Sequence, residues 1–221
     1  MHSCVTATSE SPRPSAKTIS VADGSNEQIF ILLRILPQCI LAQSGVEHTP
    51  NGDNLKHVKQ SVPKAKANDA FMRRAIELSV RNVRDGKGGP FGAVVVKDGK
   101  IIAEGANSVT ATNDPSAHAE VVAIRKACKK LKCFELPGCE IYTSCEPCPM
   151  CLGAIYWARP ARVFFANTQR DAAKIGFDDS FIYRELRVPL PRRRIPMIGL
   201  MRREALAAFH AWQAKQDKIK Y

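Results

Sequence analysis

From residue 68 onward the apolar positions fall into alternating helix-like and strand-like runs. Met72, Ala75, Ile76, Val80 and Val83 recur at the 3.6-residue spacing of one helix face, with Asp69 placed to cap the helix and Gly86 to end it. After the Gly88-Gly89-Pro90 turn, residues 92–97 read as a strand, Asp98-Gly99 as a tight hairpin turn and residues 101–104 as the returning strand. Asp114-Pro115 then predicts a helix start, the Asp as cap and the Pro in the first position. That helix carries His118, Glu120, Val121, Ile124 and Ala127 to about residue 131. Residues 140–144 read as a strand, 149–157 as a short helix and 163–166 as another strand. Beyond Gly176 the pattern weakens to a short strand over 195–200 and an amphipathic helix over 203–214, built on Leu206, Phe209 and Trp212. This alternation predicts an α/β domain over residues 68–221: a three-layer α/β/α sandwich with a mixed sheet of about five strands and helices on both faces.

Residues 1–67 are of different material. Ser and Thr occupy eight of the first twenty positions, and polar Gly- and Asn-containing stretches surround Asn51 to Asn54, so the segment reads as a disordered extension. Its apolar run over residues 29–42 is broken by Arg34, Pro37 and Gln38 and is shorter than the ~20 residues a membrane span needs. An organellar transit peptide is a weaker reading, since only Arg13 and Lys17 are positive in the first twenty residues.

Composition limits the partners without choosing one. The chain's net charge of +12 fits nucleic acid, a small anionic or purine-like ligand, or merely a solvated cationic surface. Its eight cysteines come with no visible signal peptide, and Cys145, Cys148 and Cys151 fall within seven residues, which favours metal binding in a reducing, cytoplasmic setting over a disulfide framework.

The sharpest chemical signal is His118-Ala119-Glu120 at one helix start, followed about thirty residues later by Pro147-Cys148-Pro149-Met150-Cys151 at the next. One imidazole and two thiolates three residues apart suit tetrahedral zinc and leave its fourth position to water, the mark of a catalytic site. Zinc lowers the pKa of such a water toward ~7, and Glu120 is close enough to move its proton without being a ligand. Other readings of the cysteines fit less well. An iron–sulfur run lacks its fourth Cys followed by Pro, because Leu152-Gly153-Ala154 comes next. A closed structural zinc using Cys145 leaves Glu120 without a purpose, and Cys145 suits a small packed residue at a strand end.

These motifs give the chain a family resemblance. The His-x-Glu and Pro-Cys-x-x-Cys pair is the signature of zinc nucleobase deaminases. Gly88-Gly89-Pro90-Phe91-Gly92-Ala93-Val94, residues 113–120, residues 143–151 and Gly176-Phe177-Asp178-Asp179-Ser180-Phe181-Ile182-Tyr183 together resemble the cytidine-deaminase-like superfamily and, within it, the small bacterial-type guanine deaminases. The first three segments occur in variant form across several branches, including tRNA adenosine deaminases and fungal cytosine deaminases; the fourth discriminates. The resemblance implies a cytidine-deaminase-like fold, one Zn²⁺ per subunit on His118, Cys148 and Cys151, and conversion of guanine to xanthine and ammonia by zinc-hydroxide attack with Glu120 as proton shuttle. It further implies that Asn107 hydrogen-bonds the purine, that Phe91 and Trp157 wall the ring, and that Asp179 reads the guanine edge or helps shuttle protons. The C-terminal segment is expected to cross to a partner in a domain-swapped homodimer, Tyr221 closing the site. Taken one by one, Phe91 and Trp157 also suit a core, Asn107 a turn, and Asp178-Asp179 a helix cap or a solvated pair.

Two departures keep alternatives open. Residues 1–67 have no counterpart in that family pattern, and residues 182–221 carry ten basic side chains against Glu185, Glu204 and Asp217, with Arg192-Arg193-Arg194 consecutive. A tRNA adenosine deaminase holding phosphates on that tail, a guanosine or cytidine deaminase, and a non-enzymatic zinc-stabilised RNA-binding module are the competing readings. Nucleic acid is the less favoured partner, and no membrane is expected.

Overall fold

The computed structural model describes residues 67–220; the expectations for residues 1–66 and for Tyr221 lie outside the described residues. Helix α1 (Asp69–Arg84) is capped not by Asp69 but by the extended Asn68, whose Oδ1 accepts from the Ala70 N–H at 3.0 Å. Its buried stripe is Ala75, Leu78, Ser79 and Asn82, while Ile76, Val80 and Val83 are exposed. The expected apolar face is therefore rotated, and Gly92 supplies the reason. A Cβ at Gly92 would lie 2.3 Å from the Ala75 carbonyl oxygen and 2.7 Å from the Ser79 nitrogen, so the helix backbone seats directly on the sheet. Ala75, Leu78 and Ser79 occupy that contact, and the β-branched Ile76, Val80 and Val83 are turned outward.

Strand β1 (Gly92–Lys97) returns as β2 (Lys100–Ala106) through Asp98 and Gly99, both with positive φ (49° and 69°), the conformation a two-residue hairpin turn requires. The register shifts between Val95 and Val96, a bulge in an otherwise antiparallel pair. With β3 (Glu140–Cys145) and β4 (Arg162–Asn167) these form a mixed sheet of order β2-β1-β3-β4, β1 antiparallel to both neighbours and β3 parallel to β4. The β3–β4 crossover is α4 (Pro149–Ala158).

β1 is buried on both faces. Val94 and Val96 meet α1 and the Tyr142 ring, with Phe71 and Phe164 packed alongside. Ala93 and Val95 face Ala119, Ala123, Ile124 and Ala127 of α3 (Ala119–Leu131) and Ile155 of α4. The result is the three-layer α/β/α sandwich. Helix α3 also seats on a glycine: a Cβ at Gly105 of β2 would be 2.1 Å from the Ala119 carbonyl oxygen.

Between β2 and α3 the chain departs from expectation. A short helix α2 (Val109–Thr112) intervenes, Asn113 takes a left-handed φ of 51°, and α3 begins at Ala119 rather than after Asp114. The Asp114 carboxylate is used locally, Oδ1 accepting from the Ser116 N–H at 2.8 Å and its hydroxyl at 2.6 Å, which closes a turn in place of capping a helix. Past β4 lie two short helices that no apolar periodicity announces, α5 (Gln169–Lys174) and α6 (Ser180–Arg187).

Among the described residues the sheet has four strands, one fewer than expected. Residues 195–200 form no strand: Pro196 removes a donor, no neighbouring strand pairs with them, and Ile198 and Leu200 are 86% and 82% exposed. Helix α7 (Arg202–Ala214) forms as expected, yet it buries none of its residues; Phe209 is 67% exposed.

A forked ion pair ties α1 to β2. Arg74 Nε and Nη2 donate to Glu104 Oε1 and Oε2, each at 2.8 Å, and hold the Glu104 carboxyl below its ordinary range. Glu104→Gln is expected to lower stability by about 1 kcal/mol at pH 7. Because the folded-state pKa is depressed, this contribution is present above the unfolded carboxylate pKa of ~4.3 and is lost as pH falls through the folded value. Urea melts of both proteins at pH 7 and pH 3 check this; a gap that stays constant would contradict it.

Candidate active site

Three chain segments converge at one end of the sheet. The Gly105 contact fixes the first turn of α3, so His118, the extended residue before it (φ −69°, ψ 155°), and Glu120 are held against the sheet. β3 ends at Cys145, and the chain turns through Glu146 and Pro147 to Cys148, the extended residue before α4, with Cys151 in that helix's first turn and Pro149 at its start. His118 Nδ1 lies 3.5 Å from both Cys148 Sγ and Cys151 Sγ, and the three ligand-type atoms all lie within 4.8 Å of one another. An imidazole nitrogen and two sulfurs converging in this way fit a tetrahedral zinc ion with a fourth position open.

The electrostatics of the group point the same way. The Cys148 thiol is pulled down to about 4, chiefly by the hydrogen bond from Cys151, with His118 adding to it against the opposing effect of burial. Cys151 moves upward, because the adjacent Cys148 sulfur and burial disfavour a second negative charge. Cys148 in turn draws the His118 imidazole upward. One negative charge is thus shared over two sulfurs, and a dication is the group that would stabilise both thiolates.

Glu120 is buried at 5% exposure; Thr143 Oγ1 donates to its Oε1 at 3.1 Å and Cys151 Sγ to its Oε2 at 3.5 Å. Burial is the main force pushing its carboxyl up, the direction that suits a group passing protons near neutral pH. Cys145 differs from its neighbours. It is buried at the strand end with its thiol pointed at the Thr168 carbonyl at 3.7 Å, and burial pushes it up to about 11.

The residues expected to contact substrate are placed unevenly. Asn107 is buried, its main-chain N–H donating to the Phe91 carbonyl at 3.0 Å and its Oδ1 accepting from the Gly89 and Val109 N–H groups at 3.3 and 3.4 Å. That leaves its Nδ2 as the donor end. Phe91 meets Phe177 edge to face at 5.0 Å between ring centroids, so the Gly176–Asp179 segment is laid against the Phe91 loop. Asp179 ends that segment, and its Oδ1 is bonded by the side chain of Gln169, whose main-chain N–H donates to Glu146 of the turn that leads to Cys148. Trp157 is not gathered in: it sits near the end of α4 at 62% exposure.

Sequence reasoning missed three supporting residues. Asn82 of α1 donates through Nδ2 to the carbonyls of Gly89 and Asn107, at 2.9 and 2.8 Å, stitching the Phe91 loop to the Asn107 loop; a polar residue one turn past Leu78 on the inward stripe was its signal. Thr143 lay unassigned within the cysteine motif. Gln169, which donates to Asp179 at 2.6 Å, carried no sequence signal.

The fold and this site define a zinc-binding deaminase, and the comparisons place the chain within that class. Residues 65–167 match the cytidine and deoxycytidylate deaminase zinc-binding region. A guanine deaminase of Bacillus subtilis is 58% identical over 153 residues, 69% of this chain and 98% of that protein. The crystal structure of guanine deaminase from that organism superposes with a TM-score of 0.68 at 57% identity, covering 70% of this chain and 99% of that one. A tRNA-specific adenosine deaminase of Aquifex aeolicus is 42% identical over 96 residues, 43% of this chain and 63% of that protein. The chain belongs to the guanine deaminase family within the cytidine and deoxycytidylate deaminase class.

Substitution separates the ligand group from Cys145. His118→Ala and Cys148→Ser are each expected to lose bound zinc on dialysis against a chelator, measured by atomic absorption, by a factor of at least ~10² in affinity. Cys145→Ser is expected to keep it; loss of zinc from that variant would make Cys145 a ligand.

Proposed function

We propose that the protein catalyses the hydrolytic deamination of guanine to xanthine and ammonia, with one zinc ion per subunit held by His118, Cys148 and Cys151. The observation that carries this reading is a His/Cys/Cys group set directly beside a buried glutamate, in a chain that matches 98% of the length of a guanine deaminase. A bound zinc ion supplies Lewis acidity, so that water becomes a nucleophile at neutral pH. Glu120 takes one proton of the attacking water and delivers it to ring N3 as the C2–O bond forms. It then takes the remaining hydroxyl proton and gives it to the amino nitrogen, so that the C2–N bond breaks and ammonia leaves as the C2 carbonyl forms. Thr143 orients one oxygen of the Glu120 carboxyl by its hydrogen bond, and the low-dielectric surroundings keep the carboxyl easily protonated.

Asn107 presents its Nδ2 donor to an acceptor of the purine, fixed in that orientation by the two main-chain N–H groups on its Oδ1. Phe91, braced by Phe177, forms one wall for the ring. Asp179 reads the guanine edge, where N1–H and the 2-amino group are donors and a carboxylate oxygen accepts. Trp157, 62% exposed near the end of α4, is read as the other wall.

The C-terminal segment crosses to a partner subunit in a homodimer, with Tyr221 closing the partner's site. Supporting this reading, Ile195, Ile198, Leu200 and Phe209 are all more than 60% exposed, an apolar surface that one subunit leaves uncovered. The enzyme acts in the cytoplasm, where the thiols of the zinc site stay reduced. No helix of the described residues is long and apolar enough to cross a membrane.

Ammonia release by the zinc-loaded protein, measured on guanine, guanosine, adenine, cytosine, cytidine and a tRNA anticodon stem-loop, tests the reaction. Xanthine from guanine alone is expected, with turnover insensitive to salt. Inosine in the stem-loop without turnover of free bases would transfer the site to RNA. Sedimentation equilibrium is expected to return twice the chain mass, and a monomer would leave the C-terminal apolar surface without its partner.

A further inference from the structure

We propose that Gln169 is a positioning residue for the reaction, a strut that locks the Asp179 carboxylate and ties it to the loop bearing the cysteine ligands. The inference rests on the reading of Asp179 as the group that accepts from the guanine edge. Gln169 is the first residue of α5 and makes two hydrogen bonds in different directions. Its main-chain N–H donates to Glu146 Oε2 at 3.0 Å, and its side-chain Nε2 donates to Asp179 Oδ1 at 2.6 Å. A carboxylate only accepts, so the amide is oriented by chemistry: its nitrogen must face Asp179.

The strut is anchored at both ends. Thr168 and Asp171 form a reciprocal cap at the start of α5, with the Thr168 N–H donating to Asp171 Oδ2 at 3.1 Å and the Asp171 N–H to Thr168 Oγ1 at 3.3 Å. Glu146 returns a main-chain bond to the Asn167 carbonyl at 2.8 Å, two residues before the ligand Cys148. The segment ahead of Asp179 is pinned by Phe177 against Phe91.

The two adjacent aspartates divide the work. Asp178 Oδ1 accepts from the Ser180 N–H at 2.9 Å and so satisfies the start of α6, while Asp179, which occupies the cap position, makes no side-chain capping bond. Asp179 is therefore released from the helix. With Oδ1 held by Gln169, Oδ2 accepts no hydrogen bond among the described residues and is the oxygen left for a ligand donor. A carboxylate free to rotate would lose that direction, and binding that depends on it would weaken.

Kinetics on guanine test the strut. Gln169→Leu keeps the side chain's bulk without its donor and is expected to raise KM by about 10-fold with kcat within about 3-fold, zinc content and Tm unchanged. Gln169→Glu sets a second carboxylate against Asp179, so near neutral pH its KM is expected to exceed that of the Leu variant. As pH falls toward 5, the shared site takes up a proton and a donor is restored, so KM relative to the unaltered protein at the same pH is expected to recover. Glu146, Tyr183, Cys145 and the adjacent Asp178, ionisable groups that share Asp179's surroundings, are present in every variant and cancel in that ratio. Unaltered KM in Gln169→Leu, or a Gln169→Glu defect that does not move with pH, would overturn the inference while leaving guanine deamination standing. Failure of the unaltered protein to make xanthine would overturn both.

Discussion

The seat of α3 on Gly105 is the constraint on which the site depends. The helix approaches the sheet so closely that a single added carbon would lie 2.1 Å from the Ala119 carbonyl oxygen. His118 and Glu120 flank that residue, so the depth at which the helix sits decides where the imidazole and the carboxyl reach. From the other direction β3, buried throughout from Ile141 to Cys145, delivers Cys148 and Cys151 through one short turn. Neither half of the ligand set is near the other in sequence. The sheet brings them together, with β1 at its centre packed on both sides and paired with both neighbours.

The same economy runs through the supporting shell. Buried polar side chains are costly unless they are hydrogen-bonded, and those around this site are spent on holding loops. Asn82 joins the carbonyls of Gly89 and Asn107, and Ser144 Oγ accepts from the Gly92 N–H at 3.0 Å where the first loop enters β1. Thr143 from the same strand holds Glu120. These side chains touch the reaction only through others, and they are why the loops around the ligands need no further secondary structure.

Much of this was legible in the sequence, and what was not has physical causes. The His-x-Glu and Cys-x-x-Cys spacings announced the metal group because zinc restricts donor type and count, and Asp98-Gly99 announced the hairpin because two consecutive positive φ angles admit few residues. The inward face of α1 departs from the apolar periodicity because the helix backbone seats on Gly92 through Ala75, Leu78 and Ser79, which leaves Ile76, Val80 and Val83 facing outward. Helix α3 starts later than Asp114-Pro115 suggests because the Asp114 side chain closes a local turn instead. The strand expected over 195–200 did not form. Its apolar side chains, like those of α7, are exposed among the described residues, so the hydrophobicity read as a strand serves no sheet. Gln169 could not be read at all, since its role exists only once α5 and Asp179 are brought within 2.6 Å.

Chemistry and fold meet at Glu120, the one buried carboxyl among the described residues that contacts the ligand group. The most direct test of the account is the turnover of guanine by Glu120→Gln, measured beside its zinc content. The account predicts zinc retained at the level of the unaltered protein and kcat reduced by at least ~10²-fold, the loss expected when an acid–base group is removed. Xanthine formed at an undiminished rate by the zinc-loaded variant would contradict it.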